Sequence, residues 1–282
     1  MKPFLCIDLT ADKKNEQSNG EEFLVHKTSA TLSNFLDTSI EQANATTEQS
    51  KLPLALRIIQ YICGIAAVFC ILGLLKAGVS LAEGYRNAPW LYWVAGACAA
   101  VWLILWICGR QKAKAVLSTE ESTQTFSHLE EVSDAIHAEL SVPADAEEVD
   151  ILSFFYKIKD GNIKVCEKTI APYLNTVFHA FADSENLYLA NLEGKYAFPL
   201  SEIVALRTVK KHIRILQWTK DEKFNKGIYK QYKLTADQYG CIHCKSYHIL
   251  ELNHKGVSVG IYIPCYELPV FEKLTGQKTQ QE

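Results

Sequence analysis

Two apolar runs, Leu54–Leu75 and Pro89–Cys108, constrain this chain more than any other feature of its sequence. Each is about 20 residues, which at about 1.5 Å per residue is the length of a helix crossing the roughly 30 Å hydrocarbon layer of a bilayer. The stretch between them, Lys76–Ala88, is short, so the pair reads as a transmembrane hairpin. Pro53 and Pro89 stand at the helix starts, where a missing N–H costs least. The aromatics of the second run gather at its ends, Trp90, Tyr92 and Trp93 at one and Trp102 and Trp106 at the other, as in an interfacial belt. A core helix and a cleaved signal peptide are the other sources of apolar runs. Two runs of spanning length, the first starting at residue 54, argue against both.

The middle of the second run, Ala95-Gly-Ala-Cys-Ala-Ala100, consists of small residues, and the first run offers Gly64, Ala66, Ala67, Cys70 and Gly73. Small faces let helix backbones approach closely in lipid. The hairpin is therefore expected to pack on itself, and the same faces could make a homodimer or bind another chain of a membrane complex. Lys51 and Arg57 flank the first run and Arg110, Lys112 and Lys114 follow the second, whereas the connection holds only Lys76 and Arg86. The positive-inside rule then places both termini in the cytoplasm of a multi-pass cell-membrane protein. No charged residue sits mid-span, which argues against transport by the hairpin alone.

A net charge of -3 over 282 residues does not suggest nucleic-acid binding. Of nine cysteines, Cys63, Cys70, Cys98 and Cys108 lie in the apolar runs; Cys6, Cys166, Cys241, Cys244 and Cys265 fall in the reducing compartment that this orientation implies, where structural disulfides are disfavoured.

Before the hairpin, residues 1–29 hold two β-prone segments, Lys2–Leu9 and Glu22–His26, around the turn signal Asn19-Gly20. They predict a β-hairpin, marginal alone and in need of a partner surface such as the C-terminal domain. Residues 30–52 follow as an amphipathic helix carrying Leu32, Phe35, Leu36, Ile40 and Ala43 at helical spacing, ahead of the anchor at 53–109. Asn44-Ala45-Thr46 matches a glycosylation acceptor that a cytoplasmic segment would not use. After the anchor, Ala115–Asp150 contains ten acidic residues and no Lys or Arg, with Leu129, Val132, Ile136 and Leu140 at helical spacing. Residues 110–144 therefore read as an acidic amphipathic helix and linker stopped near Pro143.

Residues 145–282 switch to short β-prone runs. Val149–Ile158 and Asn162–Cys166 flank Asp160-Gly161, a hairpin signal. Leu174–Ala182, Leu187–Ala190, Lys195–Phe198, Val204–Ile215 with a break, Ile228–Leu234, Tyr247–Leu252 and Val257–Ile263 follow, and Tyr266–Leu274 is a helix with Leu268, Phe271 and Leu274 on one face. The fold class this predicts is an α+β membrane protein: a two-helix transmembrane hairpin plus a cytoplasmic antiparallel β-barrel or sandwich with a C-terminal capping helix.

The stretch Glu185-Asn-Leu-Tyr-Leu-Ala-Asn191, followed by Lys195-Tyr-Ala-Phe-Pro-Leu-Ser-Glu-Ile203, resembles bacterial pleckstrin-homology-like (PH-like) domains, as does the ending Ile263-Pro264 with Phe271-Glu-Lys-Leu274. With a two-helix hairpin ahead of it, the chain is similar to membrane-anchored bacterial proteins of the YcxB-like type. The resemblance implies a PH-like fold and brings no shared catalytic residues.

Three features bear on chemistry. Gly256-Val-Ser-Val-Gly260 matches a nucleophile elbow, but it lies in a β-prone run with no His or Asp after it, so a plain strand is expected. Cys241-Ile-His-Cys244 has the spacing of a zinc half-site or a redox pair, with His248 among further candidate ligands. No second such pair exists, and residues three apart on a strand face opposite ways. Arg207, Lys210, Lys211, Arg214, Lys220, Lys223, Lys226, Lys230 and Lys233 share one stretch with only Asp221 and Glu222. That run is a solvated face, a partner for the acidic segment, or a surface for anionic lipid with Lys210, Lys211, Arg214, Lys223 and Lys226 as contacts. The expected function is a non-catalytic, membrane-anchored interaction module that binds a protein partner or anionic lipid headgroups and needs no cofactor. The alternative is a membrane-tethered metal-binding or thiol-redox protein using Cys241 and Cys244.

Overall fold

An apolar hairpin in mid-sequence forces the polypeptide to leave its polar part and return to it. In the computed structural model, which describes residues 7–8, 20–76, 88–153, 156–159, 162–165, 173–216, 230–236 and 241–281, this divides the chain into two units. One is Met1–Ser33 together with Ala135–Glu282, and the other is Asn34–Asp134.

The second unit is helical. Helix α1 (Ala30–Ser50) begins in the first unit and buries Leu36, Ser39 and Ala43 on one face. Helices α2 (Leu54–Lys76) and α3 (Pro89–Leu117) are both long and apolar enough to cross a membrane. The two helices pack on each other within the chain, though only part of the small faces takes part: a Cβ on Gly64 would come within 3.0 Å of the Trp102 ring and the Cys63 and Cys98 thiols are hydrogen-bonded, whereas a Cβ on Gly73 or Gly96 would meet nothing within 4 Å. Helix α3 runs past the apolar run because Gln111–Leu117 are mostly good helix formers. Helix α4 (Glu120–Glu139) restarts at Thr119, whose Oγ1 accepts the Ser122 N–H at 3.2 Å as an N-cap.

The first unit is built of β1 (Ile7–Asp8), β2 (Leu24–Lys27), β3 (Glu147–Ser153), β4 (Tyr156–Lys159), β5 (Asn162–Val165), β6 (Tyr173–Ala182), β7 (Asn186–Asn191), β8 (Gly194–Pro199), β9 (Ile203–Val209), β10 (Ile213–Leu216), β11 (Thr235–Ala236), β12 (Cys241–Cys244), β13 (Tyr247–His254), β14 (Val257–Pro264) and β15 (Gln280–Gln281). Helix α5 (Leu268–Thr275) lies between the last two strands. One sheet runs β1-β14-β13-β9-β15, a second runs β11-β12-β10-β6-β7-β8-β2 with β3 also on β6, and β4 and β5 form a separate pair. Most pairings are antiparallel; β10 on β6 and β15 on β9 are parallel.

Of the barrel or sandwich that the strand spacing suggested, the closed barrel does not form. The chain changes sheet at 200–202, at 210–212 and again at 245–246, so the strands divide into two open sheets. Both contribute to one core, with Val149, Ile151, Phe178, Leu187, Phe198, Leu206, Leu250 and Ile261 from the sheets and Phe271 from α5. The terminal helix is thus a packed element, with Leu268 and Leu274 flanking Phe271 as the spacing predicted, and Gly276 in the left-handed conformation ends it. Residues 230–232, expected to be strand, are helical; Tyr232 and Leu234 still reach the second cluster, formed around Ile213, Ile215, Ile242 and Ile249.

The two N-terminal β segments do not pair with each other. β1 adds to β14 and β2 adds to β8, one on each sheet. Phe23, just before β2, is buried with ring centroids 4.6 Å from both Phe198 and His254. The backbone of β2 comes so near β8 that a Cβ on Gly194 would sit 2.6 Å from the His26 carbonyl oxygen. Two expectations follow from this. Phe23→Ala is expected to cost about 3–5 kcal/mol, read from denaturant unfolding. A chain joining residues 1–33 to 135–282 through a short flexible linker is expected to unfold cooperatively in water, whereas 135–282 alone is expected to lack that transition.

Candidate functional site

The chain leaves and re-enters the β-domain at a single point. Ser29 precedes α1, and both its N–H and its Oγ donate to the Glu139 carboxylate at 2.8 Å. Those bonds hold the Glu139 carboxyl below its ordinary range, with His26 Nε2 3.7 Å away adding to the effect. Next to it, Thr28 donates its N–H to the Glu193 carbonyl at 3.1 Å and its Oγ1 to the Leu192 carbonyl at 2.9 Å. Ser29 Oγ accepts the Leu32 N–H at 3.4 Å as the N-cap of α1, and the carboxylate takes the N–H of that cap residue, as the glutamate of a capping box does, from the far end of α4. Neither partner stood out in the sequence; the only signal was a Ser directly before a helical pattern.

Of the residues expected to contact lipid, Lys210 and Lys211 occupy the exposed turn between β9 and β10, and Arg214 is half-buried on β10 opposite His243. Lys223 and Lys226, like Lys220, lie outside the described residues. The turn stands beside the β12–β13 connection, because β9 pairs with β13 and β10 with β12. That connection brings in the exposed Lys245, and His212 Nε2 is 3.1 Å from His243 Nδ1. The corner thus collects Lys210, Lys211, Arg214 and Lys245 around two histidines, only part of which the run of basic residues suggested. Arg207, from the same run, is ion-paired with Glu251 across β9 and β13.

Cys241 and Cys244 lie at the two ends of β12. Both are buried, but the partner of Cys244 is Cys265, after β14; the hydrogen bond between these two thiols, and then burial, push the Cys244 thiol up. Beside them Tyr266 donates its hydroxyl to Asp150 Oδ2 at 2.8 Å, and the Asp150 N–H donates to Glu267 Oε1 at 3.0 Å. These bonds tie β3 to the segment after β14 through buried polar groups, each partnered as burial requires. His248 is engaged elsewhere: its Nδ1 is 3.1 Å from Thr208 Oγ1. Among the described residues no group of three or more His, Cys, Asp or Glu side chains is placed to hold a metal ion. Gly256-Val-Ser-Val-Gly260 is a hairpin and strand: Lys255 and Gly256 take positive φ of 50° and 84° in the two-residue turn, and Val257 opens β14.

Compared with protein-family models, with curated proteins and with solved structures, the chain matches none.

Burial lowers the His248 pKa, outweighing the attraction of Glu272. The unfolded chain then takes up a proton near the ordinary value of about 6.5 that the folded domain refuses. Stability is accordingly complete above that pH and declines as pH falls below it. Urea midpoints of the β-domain between pH 7 and pH 5 are expected to show a smaller decline in His248→Gln than in the parent.

Proposed function

We propose that this protein is a non-catalytic interaction module of the cell membrane, anchored by α2 and α3, with both termini in the cytoplasm and a β-domain of PH-like type that engages a protein partner or anionic headgroups. One observation carries the reading: the β-domain is interrupted by an apolar helical hairpin. An even number of crossings is what a domain assembled from both flanks requires, since the N-terminal strands and the C-terminal sheets must share one side of the bilayer.

Three further observations support it. In the most apolar window of each helix, 6% and 0% of residues are buried, the reverse of a core helix. Tyr61, Phe69 and Trp93 are each 71% exposed, a surface that suits acyl chains and not water. Lys51, Arg57, Arg110, Lys112 and Lys114 flank the two spans on one side. For the β-domain, the exposed turn Lys210-Lys211 with Lys245 alongside is the surface that favours an acidic ligand.

Reporters fused to the two termini are expected to be active in the same compartment, the cytoplasm, and the protein to stay in the membrane fraction after alkaline extraction. For the ligand, the domain joined from 1–33 and 135–282 is expected to float with anionic vesicles and not with neutral ones, and K210E/K211E to reduce flotation several-fold. Flotation unchanged by that variant would turn the search towards a protein partner.

A further inference from the structure

At the positively flanked end of α2 and α3 there is a cavity of about 280 Å³ lined by Lys51, Arg57, Gln60, Trp106, Gly109 and Arg110. Three of its ten lining residues, Lys51, Arg57 and Arg110, are cations, and none is acidic. The acid recorded against them is Glu48, ion-paired with Lys51 and lying in the field of Arg57. Arg110 is held in place, its guanidinium carbon 4.8 Å from the centre of the Trp106 ring. Lys112 donates to the Lys51 carbonyl at 2.7 Å, fixing the chain that forms one wall. Arg57 Nε is buried and has no hydrogen-bond partner among the described residues. A buried guanidinium N–H left without an acceptor is costly, and a ligand oxygen would relieve it.

A second, apolar cavity lies further along the same two helices, a groove of about 520 Å³ lined by Tyr61, Gly64, Val68, Leu72, Ala99 and Trp102. The two linings adjoin along both helices, Gln60 of the first beside Tyr61 of the second on α2, and Leu105 and Trp106 of the first one turn from Trp102 of the second on α3. Both cavities therefore belong to the same helix pair and follow one another along it. From Tyr61 to Leu72 the groove runs about 17 Å at 1.5 Å per residue, close to half of the roughly 30 Å hydrocarbon layer, the depth of one leaflet.

We propose that this paired cavity binds one anionic phospholipid, its phosphodiester held by Arg57 and Arg110 with Lys51 alongside, and an acyl chain laid in the groove. The proposal rests on the membrane-spanning reading of α2 and α3, and it is independent of the β-domain's basic corner. Guanidinium forks match phosphate oxygens in two-point hydrogen bonding, and basic pockets between spanning helices select acidic headgroups. The apolar groove favours a lipid over a free phosphate, and the surplus of cations favours an anionic headgroup over a zwitterionic one.

The test uses the full chain, extracted in neutral detergent, offered phosphatidylglycerol or phosphatidylcholine, with retained lipid counted by native mass spectrometry. The expected result is one phosphatidylglycerol per chain, preferred at least tenfold over phosphatidylcholine and not displaced by glycerol phosphate. The preference is expected to be lost in R57Q/R110Q, weakened in R57K/R110K, which keeps the charge without the two-point fork, and unchanged in K210E/K211E. Equal retention of the two lipids, undiminished retention by R57Q/R110Q, or displacement by glycerol phosphate would each overturn the proposal while leaving the membrane reading in place. A chain found in the aqueous phase without detergent would overturn both.

Discussion

The structure depends on the Glu139 carboxylate receiving both hydrogen bonds that Ser29 can donate. A domain whose sequence is interrupted by about a hundred residues of helix must close the interruption somewhere, and loop closure over such a length carries an entropic cost. Here the closure is local: the last residue before α1 and the last residue of α4 are joined directly, and Thr28 is pinned to the β7–β8 turn one residue earlier. With those contacts made, β2 lies against β8, Phe23 reaches Phe198 and His254, and the N-terminal residues become part of the core.

The chain therefore leaves the β-domain into α1 and returns to it from α4 at two hydrogen-bonded residues, Ser29 and Glu139.

Much of this was legible in the sequence because it rests on local pattern. The spans of α2 and α3, the helix of α1, the run from β6 to β9, the β13–β14 hairpin and the packed face of α5 all follow from hydrophobic period and turn residues. What the sequence hid was long-range. Lys2–Leu9 and Glu22–His26 look like a hairpin because neighbouring β segments usually pair, and only the complementary edges of β14 and β8, over 160 residues away, separate them. Cys241 and Cys244 drew attention by spacing, while the thiol partner, Cys265, is set by how β12 and the segment after β14 meet in the core. Tyr232 satisfies its burial from a helical turn, so its apolar character could not distinguish strand from helix. Half of the basic corner was visible as a run of lysines, but His243 and Lys245 join it only through the β10–β12 register.

The most direct measurement is backbone hydrogen exchange on the full chain in a bilayer mimetic, followed at the amides of Thr28 and Ser29. If the domain is closed by this clamp, both amides exchange as slowly as those of β7 and β8, and Glu139→Gln accelerates Thr28 and Ser29 together while β13 and β14 stay protected. Exchange of Thr28 and Ser29 at the rate of an unstructured peptide would show that residues 1–29 are a tail on the domain and not part of it.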